Sequence, residues 1–149
     1  MTTLNVQICT LPATEISAYC EHLLRLDRAS RHARFGWAAD DNGIQAHCLR
    51  AAAGALVVVA KVNEVVRGGL EIWPSGNGSA EIVFAVENAW RNQGLASGLI
   101  AAAISEAKKR NLHCLEIELD RVDPTVEHLI EKFGGLQHGP DGARGKIAA

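Results

Sequence analysis

The sequence predicts an α/β fold, a mixed and mostly antiparallel sheet with flanking helices, and three observations carry that prediction. Two β-branched-rich runs, Ala55 to Val62 and Val65 to Trp73, are separated only by Asn63-Glu64, as in a tight hairpin. A third run, Ala80 to Val86, follows the turn-forming cluster Ser75-Gly76-Asn77-Gly78-Ser79 and extends the antiparallel set. A long helical pattern then separates this run from His113 to Leu119, so these two strands pair in parallel through a right-handed crossover.

In chain order, residues 5 to 9 alternate weakly and read as a first strand, broken by Leu11-Pro12. Thr14 is placed to cap a helix with Ile16, Cys20, Leu23 and Leu24 on one stripe, ending near Leu26. From Asp27 to Trp37 the chain is Arg-rich and shows no clean period. Asp40 or Asp41 then caps a second helix through Ile44, Cys48 and Ala51, which Gly54 ends, so two helices precede the main sheet. Pro74 stops the second hairpin strand. The long helix runs from about Gly94 to Arg110, with Ala96, Leu99, Ile100, Ala103, Ile104 and Ala107 on one face and Glu106 paired with Arg110. Pro124 opens a further helix carrying Val126, Leu129, Ile130 and Phe133, and Gly134-Gly135 ends it. Gly139 to Gly142 is a turn, and the remainder has room for two short strands.

The 149 residues suit a single domain, 1 to 149, with enough chain for a core that needs no disulfide or structural metal. With 48% hydrophobic and 21% charged residues, the chain is far from the disordered class. A net charge of -2 supplies no general attraction for nucleic acid or anionic lipid. Cys9, Cys20, Cys48 and Cys114 are scattered without metal-ligand spacing, and the six His residues form no ligand pair, so no metal is expected. The N-terminus lacks the features of a secretion signal and the apolar runs are too short to span a bilayer, so the expected location is cytoplasmic, without a membrane partner.

The chemistry concentrates at the junction between Ala80 to Val86 and the long helix. Helix first-turn N–H groups lack intrahelical acceptors, and with the helix dipole they stabilise an anion by up to about 2 kcal/mol. Gly94, Ala96 and Gly98 are small enough for a diphosphate to approach the backbone, and Arg91 adds a charged fork. The segment Arg91-Asn92-Gln93-Gly94-Leu95-Ala96 resembles the diphosphate-binding motif of the GCN5-related N-acetyltransferases, (Arg/Gln)-x-x-Gly-x-(Gly/Ala). The order of elements around it resembles that family over nearly the whole chain, bacterial protein-lysine acetyltransferase domains most of all.

The resemblance implies a splayed parallel strand pair, opened by a bulge in Ala80 to Val86, with acetyl-coenzyme A as cosubstrate in the opening. Main-chain groups of Phe84, Ala85 and Val86 are then expected to hold the pantetheine arm and polarise the thioester, while Arg91 to Ser97 hold the diphosphate. Asp123 stands where relatives often have an Asn against the cofactor, and also reads as a helix cap. Many relatives protonate the leaving thiolate with a Tyr where this chain has Ile130. That acid is absent, which keeps a non-catalytic acyl-coenzyme A sensor or interaction module as the alternative to an enzyme.

Direct transfer to a primary amine needs a base, since an ammonium of pKa about 10.4 costs about 5 kcal/mol to deprotonate at pH 7. Glu81 is the candidate, because partial burial on an apolar strand raises a carboxylate pKa, and Ala80-Glu81-Ile82-Val83-Phe84 resembles the strand bearing the catalytic glutamate in protein-lysine acetyltransferases. A solvent-facing strand-end carboxylate is the competing reading of Glu81, with Glu71 and Glu87 as weaker candidates and Tyr19 assigned to core packing. Ser30-Arg31-x-x-Arg34-Phe35 resembles a stretch that borders the acceptor in those relatives, which makes Arg31, Arg34 and Phe35 candidate substrate-binding residues. A solvated basic turn anchored by Phe35 and Trp37 is the other reading. The acceptor is a protein or a small molecule, with protein lysine leading. The short C-terminal portion leaves a pocket either open or completed by a second copy in a homodimer.

Overall fold

A computed structural model describes residues 5–118, 127–128, 131–132, 137–138 and 144–148. Among the described residues seven strands form one sheet: β1 (Val6–Leu11), β2 (Leu56–Val62), β3 (Val65–Pro74), β4 (Ser79–Val86), β5 (Cys114–Glu118), β6 (Gln137–His138) and β7 (Arg144–Ala148). Their spatial order is β1-β2-β3-β4-β5-β7-β6, antiparallel throughout except for the parallel β4–β5 pair. The mixed, mostly antiparallel sheet is therefore present, with its crossover made by the long helix α4 (Leu95–Lys109). Three further helices lie before β2: α1 (Ile16–Leu24), α2 (Arg28–Phe35) and α3 (Asp41–Gly54).

Local chemistry explains most boundaries. Asn63 and Glu64 both have positive φ, 49° and 73°, the backbone of a two-residue turn whose twist matches its strands. Asp40 caps α3 by accepting the Gly43 N–H at 2.8 Å. Glu106 meets Arg110 at 3.7 Å near the end of α4. Thr14 does not cap α1: it lies in a 3₁₀ turn, Ala13–Glu15, and α1 starts without a side-chain cap.

Three helices precede β2 rather than two. The Arg-rich segment expected to lack regular structure is α2, started by Asp27, whose Oδ1 accepts the Ser30 N–H at 2.7 Å, and stopped by Gly36 at φ 82°. Only Ser30 and Arg34 of α2 are buried, so no apolar stripe announces it. Trp37 does not anchor this segment in the core. It is 54% exposed and lies over Gly43.

The sheet separates two cores. On one face α4 supplies Leu95, Leu99, Ile100, Ala103 and Ala107 against Leu70, Ile72, Ile82, Leu115 and Ile147. On the other, Tyr19 and Leu23 of α1 and Ile44, Cys48 and Ala51 of α3 pack on Val57, Val59 and Val66. The expected bulge in β4 is absent: the β3–β4 ladder runs without a shift from Gly68↔Val86 to Pro74↔Ala80. The irregularity lies in β3, where Lys61 pairs with Val66 but Ala60 with Gly68, leaving Arg67 as the extra residue. It reverses the alternation, so Val66 packs with the α1–α3 core while Leu70 and Ile72 face α4.

Two contacts at glycine hold the layers close. A Cβ on Gly69 would overlap the Tyr19 ring, and one on Gly98 would come within 3.0 Å of Ile8. Gly98 therefore serves the packing of α4 on β1. Glu127, His128 and Glu131 have helical backbone, but Asp123, Pro124, Ile130, Phe133, Gly134 and the Gly139 to Gly142 turn lie outside the described residues.

Candidate active site

The β4–β5 pair is brief. Only Ser79↔Cys114, Ala80↔Leu115 and Glu81↔Glu116 are in register, and among the described residues β4 has no β5 partner beyond Glu81. The strands part there, leaving an opening lined by Ile82, Val83 and Phe84 of β4, Ile117 and Glu118 of β5, and Ala33 and Arg34 of α2. Because β3 occupies one edge of β4, alternate main-chain N–H and C=O groups beyond Glu81 are directed to the parted side. Such an edge suits an extended polar chain that adds itself as a strand. Phe84 is half-buried toward the α4 core, Ala85 packs with the α1–α3 core, and Val86 is buried at the strand end.

From Val86 the chain passes through a 3₁₀ turn, Asn88–Trp90, into Arg91, then Asn92 at φ 62° and Gly94 at φ 81°, where α4 begins. Gly94, the residue before the first turn of α4, is exposed, with nothing within 4 Å of where a Cβ would stand, so the space around it is open. No side chain caps α4, which leaves its first-turn N–H groups for an anion. Asn92, Gln93 and Gly94 are exposed, Ala96 and Ser97 half-buried, and Leu95 buried in the α4 core. The Arg91 guanidinium donates to Val86 O at 3.3 Å and to Ser30 Oγ of α2 at 3.0 Å, so the loop is tied to the helix bordering the opening.

Glu81 is half-buried and sits where the strands part. The other acidic candidates are deeper. Glu71, fully buried, accepts bonds from Tyr19 Oη, Arg34 Nη2 at 2.6 Å, Trp73 Nε1 at 2.9 Å and, at 2.8 Å, His47 Nε2. Burial alone would raise its pKa, but Arg34 and His47 outweigh burial and hold the carboxyl at about 2. A carboxylate so committed is a poor proton acceptor at neutral pH. Burial, reinforced by Glu71, pushes the Tyr19 hydroxyl well above its usual range. Glu87 is also buried, bonded by His22 Nδ1 at 3.0 Å and by Arg25 Nε and Arg67 Nη1, each at 3.1 Å. The bonds from His22 and Arg25 outweigh its burial and lower its pKa.

The three candidate acceptor residues divide. Arg34 lines the opening while its Nη2 is engaged by Glu71. Phe35 lies under the Arg34 guanidinium, 4.7 Å from ring centroid to Cζ, and forms a T-shaped pair with His47. Arg31 turns back into the scaffold, donating to the carbonyls of Leu24, Leu26 and Ala39 and pairing with Asp41 at 3.0 Å. The buried networks around Glu71 and Glu87 were missed as networks, since their members are distant in sequence. Acidic residues at inward positions of β3 and the end of β4 were their only signal.

A family model described as the acetyltransferase (GNAT) family matches residues 18–134. Comparison with curated proteins finds no match. Among solved structures, the fold is similar to that of a putative acetyltransferase from Acinetobacter baylyi ADP1, with a TM-score of 0.74 and 15% identity over 99% of this chain and 95% of that one. It is also similar to the ribosomal-protein-S18-alanine N-acetyltransferase from Escherichia coli, with a TM-score of 0.70 and 16% identity over 97% of this chain and 94% of that one. A third, the PaiA N-acetyltransferase from Thermoplasma acidophilum in complex with coenzyme A, gives 0.67 and 13% identity over 97% and 99% of the two chains. At these identities the structures speak to the fold, whereas the family model spans most of the sequence. The chain belongs to the acetyltransferase (GNAT) family.

Proposed function

We propose that the chain, acting as one domain, transfers an acetyl group directly from acetyl-coenzyme A to a primary amine, with protein lysine the leading acceptor. The observation that carries this reading is the parting of β4 from β5 after three residue pairs, beside the uncapped start of α4. Arg91 to Ser97 hold the diphosphate by main-chain N–H groups and a guanidinium that exchanges Ser30 for phosphate oxygen. The pantetheine arm lies along the free edge of β4, and an N–H near Phe84 to Val86 polarises the acetyl carbonyl. Asp123 is placed with the cofactor by resemblance alone.

Glu81 takes the proton from the acceptor ammonium, directly or through water, and the neutral amine attacks the thioester carbon. Water protonates the departing thiolate, which a thiol of moderate basicity tolerates. Arg34 and Phe35 border the acceptor, and Arg31 acts on it by fixing α2. Four free thiols fit a reducing, cytoplasmic setting, and no described helix is long and apolar enough to cross a membrane.

The test is a thermal-shift titration with acetyl-coenzyme A. Saturating ligand is expected to stabilise the wild type by about 3 kcal/mol at a hundred times Kd. Gly94→Glu, with a carboxylate before the helix N-terminus, is expected to abolish the shift. No shift in the wild type sinks the cofactor reading. A shift without transfer to any amine, across peptides and small amines, replaces the enzyme with an acyl-coenzyme A sensor.

A further inference from the structure

Glu87 is buried where β4 ends and the cofactor loop begins, yet the proposed transfer gives it no proton to carry. Its surroundings join three elements. His22 and Arg25 reach it from α1, and Arg67 reaches it from the bulge in β3. The bulge itself is used, because the extra residue's carbonyl accepts the Glu87 N–H at 2.9 Å. Arg67 also stacks on Trp90, Cζ to ring centroid 5.1 Å, and the Trp90 N–H returns to Glu87 O at 2.8 Å. Arg91 follows directly. The loop is thus gripped at two points, by Arg67 through Glu87 and Trp90, and by Ser30 through Arg91.

We propose that Glu87 and Arg67 are positioning residues for the donor diphosphate, setting the path of the loop and so the aim of the N–H groups at the start of α4. The proposal rests on the acyl-coenzyme A reading above and deepens it. Charge alone argues the other way: Glu87 is an anion near the place assigned to a diphosphate, and its removal would leave Arg25 and Arg67 unneutralised and the local field more positive. Electrostatics therefore predicts tighter binding when Glu87 is neutralised, and loop placement predicts weaker binding. The sign of the effect distinguishes them.

The experiment compares acetyl-coenzyme A with acetyl-pantetheine, which carries the same thioester but no diphosphate, on wild type, Glu87→Gln and Arg67→Gln. Both kcat/KM and direct binding of the matching thiols are measured. Both variants are expected to lose about tenfold with the full cofactor, mainly in KM and Kd, and less than about twofold with acetyl-pantetheine. If Glu87→Gln does not fold, Arg67→Lys, which keeps the charge but loses the guanidinium fork on Glu87 and Trp90, takes its place, since positioning predicts the same loss there and a charge effect predicts none. Equal losses on both donors would reduce the cluster to general support, and a gain with acetyl-coenzyme A would reduce it to a charge effect. Either result overturns the positioning role. Failure of the underlying function looks different, because the wild type would then bind neither donor.

Discussion

Arg34 of α2 and Glu71 of β3 form an ion pair of 2.6 Å in which both side chains are almost wholly removed from solvent. Isolated charges at that depth are costly, so each leans on the other, and Glu71 also on Tyr19, His47 and Trp73. Replacing either alone, as Arg34→Met or Glu71→Leu, is expected to cost about 3–5 kcal/mol in urea unfolding. The double replacement is expected to recover much of that loss. Additive losses would show that the two residues do not depend on each other.

Acid should unfold the protein in two stages. Burial lowers the His22 pKa against the opposing bond from Glu87, so the folded state binds its proton less readily than the unfolded chain. Stability from this group is complete above its ordinary value of 6.5 and declines as pH falls below it. The Glu71 carboxyl, lowered from 4.5 to about 2, contributes stability above 4.5 that disappears as pH falls toward 2. Thermal melts across this range should show a shallow decline near pH 6 that His22→Gln removes. A steeper decline below pH 4.5 should weaken in the double variant at Arg34 and Glu71.

Gly94 and Gly98 are one helical turn apart and should respond oppositely to alanine. At Gly94 the φ of 81° strains any side chain by about 1–2 kcal/mol, and relief of that strain reshapes the loop. Gly94→Ala should therefore weaken acetyl-coenzyme A binding severalfold. At Gly98 a methyl presses on Ile8, while the gain in helix propensity of about 1 kcal/mol offsets the contact. Gly98→Ala should leave binding unchanged and stability within about 1 kcal/mol, as calorimetry and titration can establish.

Glu81→Gln should separate binding from chemistry. Removing a general base is expected to lower kcat by about 10²–10⁴ while the acetyl-coenzyme A Kd stays the same. The loss should shrink at high pH, where the free amine is already abundant. A variant that keeps full turnover at pH 7 would assign the proton to another acceptor.

Gly69→Ala should be among the most damaging small changes, because its methyl occupies the place of the Tyr19 ring in the α1–α3 core. Overpacking of about 1–3 kcal/mol is expected, with the Tyr19 bond to Glu71 displaced. Denaturant unfolding of Gly69→Ala beside Gly69→Ala/Tyr19→Leu would test it, since the smaller side chain should restore part of the loss.

The strands, α4 and the cofactor loop were legible because each rests on local pattern: Asn63-Glu64 turns within two residues, and Arg91 to Ala96 is one continuous segment. The helix α2 was not, although Asp27 and Gly36 mark both ends, because its two buried residues are Ser30 and Arg34. Hydrophobic periodicity has nothing to register when a helix docks through polar atoms. The bulge at Arg67 was equally hidden, since the groups that meet it, Glu87 and Trp90, come from elsewhere in the chain. Tyr19 illustrates the intermediate case. Its burial was foreseen from the α1 stripe, and its hydroxyl's partner on β3 was not.

The division of the sheet into an apolar side and a charged side also bears on how such a chain can change over generations. Behind α4, Leu99, Ile100 and Ile82 belong to one apolar cluster, so single conservative exchanges can accumulate there independently. Behind α1, α2 and α3, the buried His22, Arg34, Glu71 and Glu87 each have partners that a single exchange would strand. Drift on that side must proceed by coordinated replacement, and a descendant lineage should carry its polar residues there as co-inherited sets.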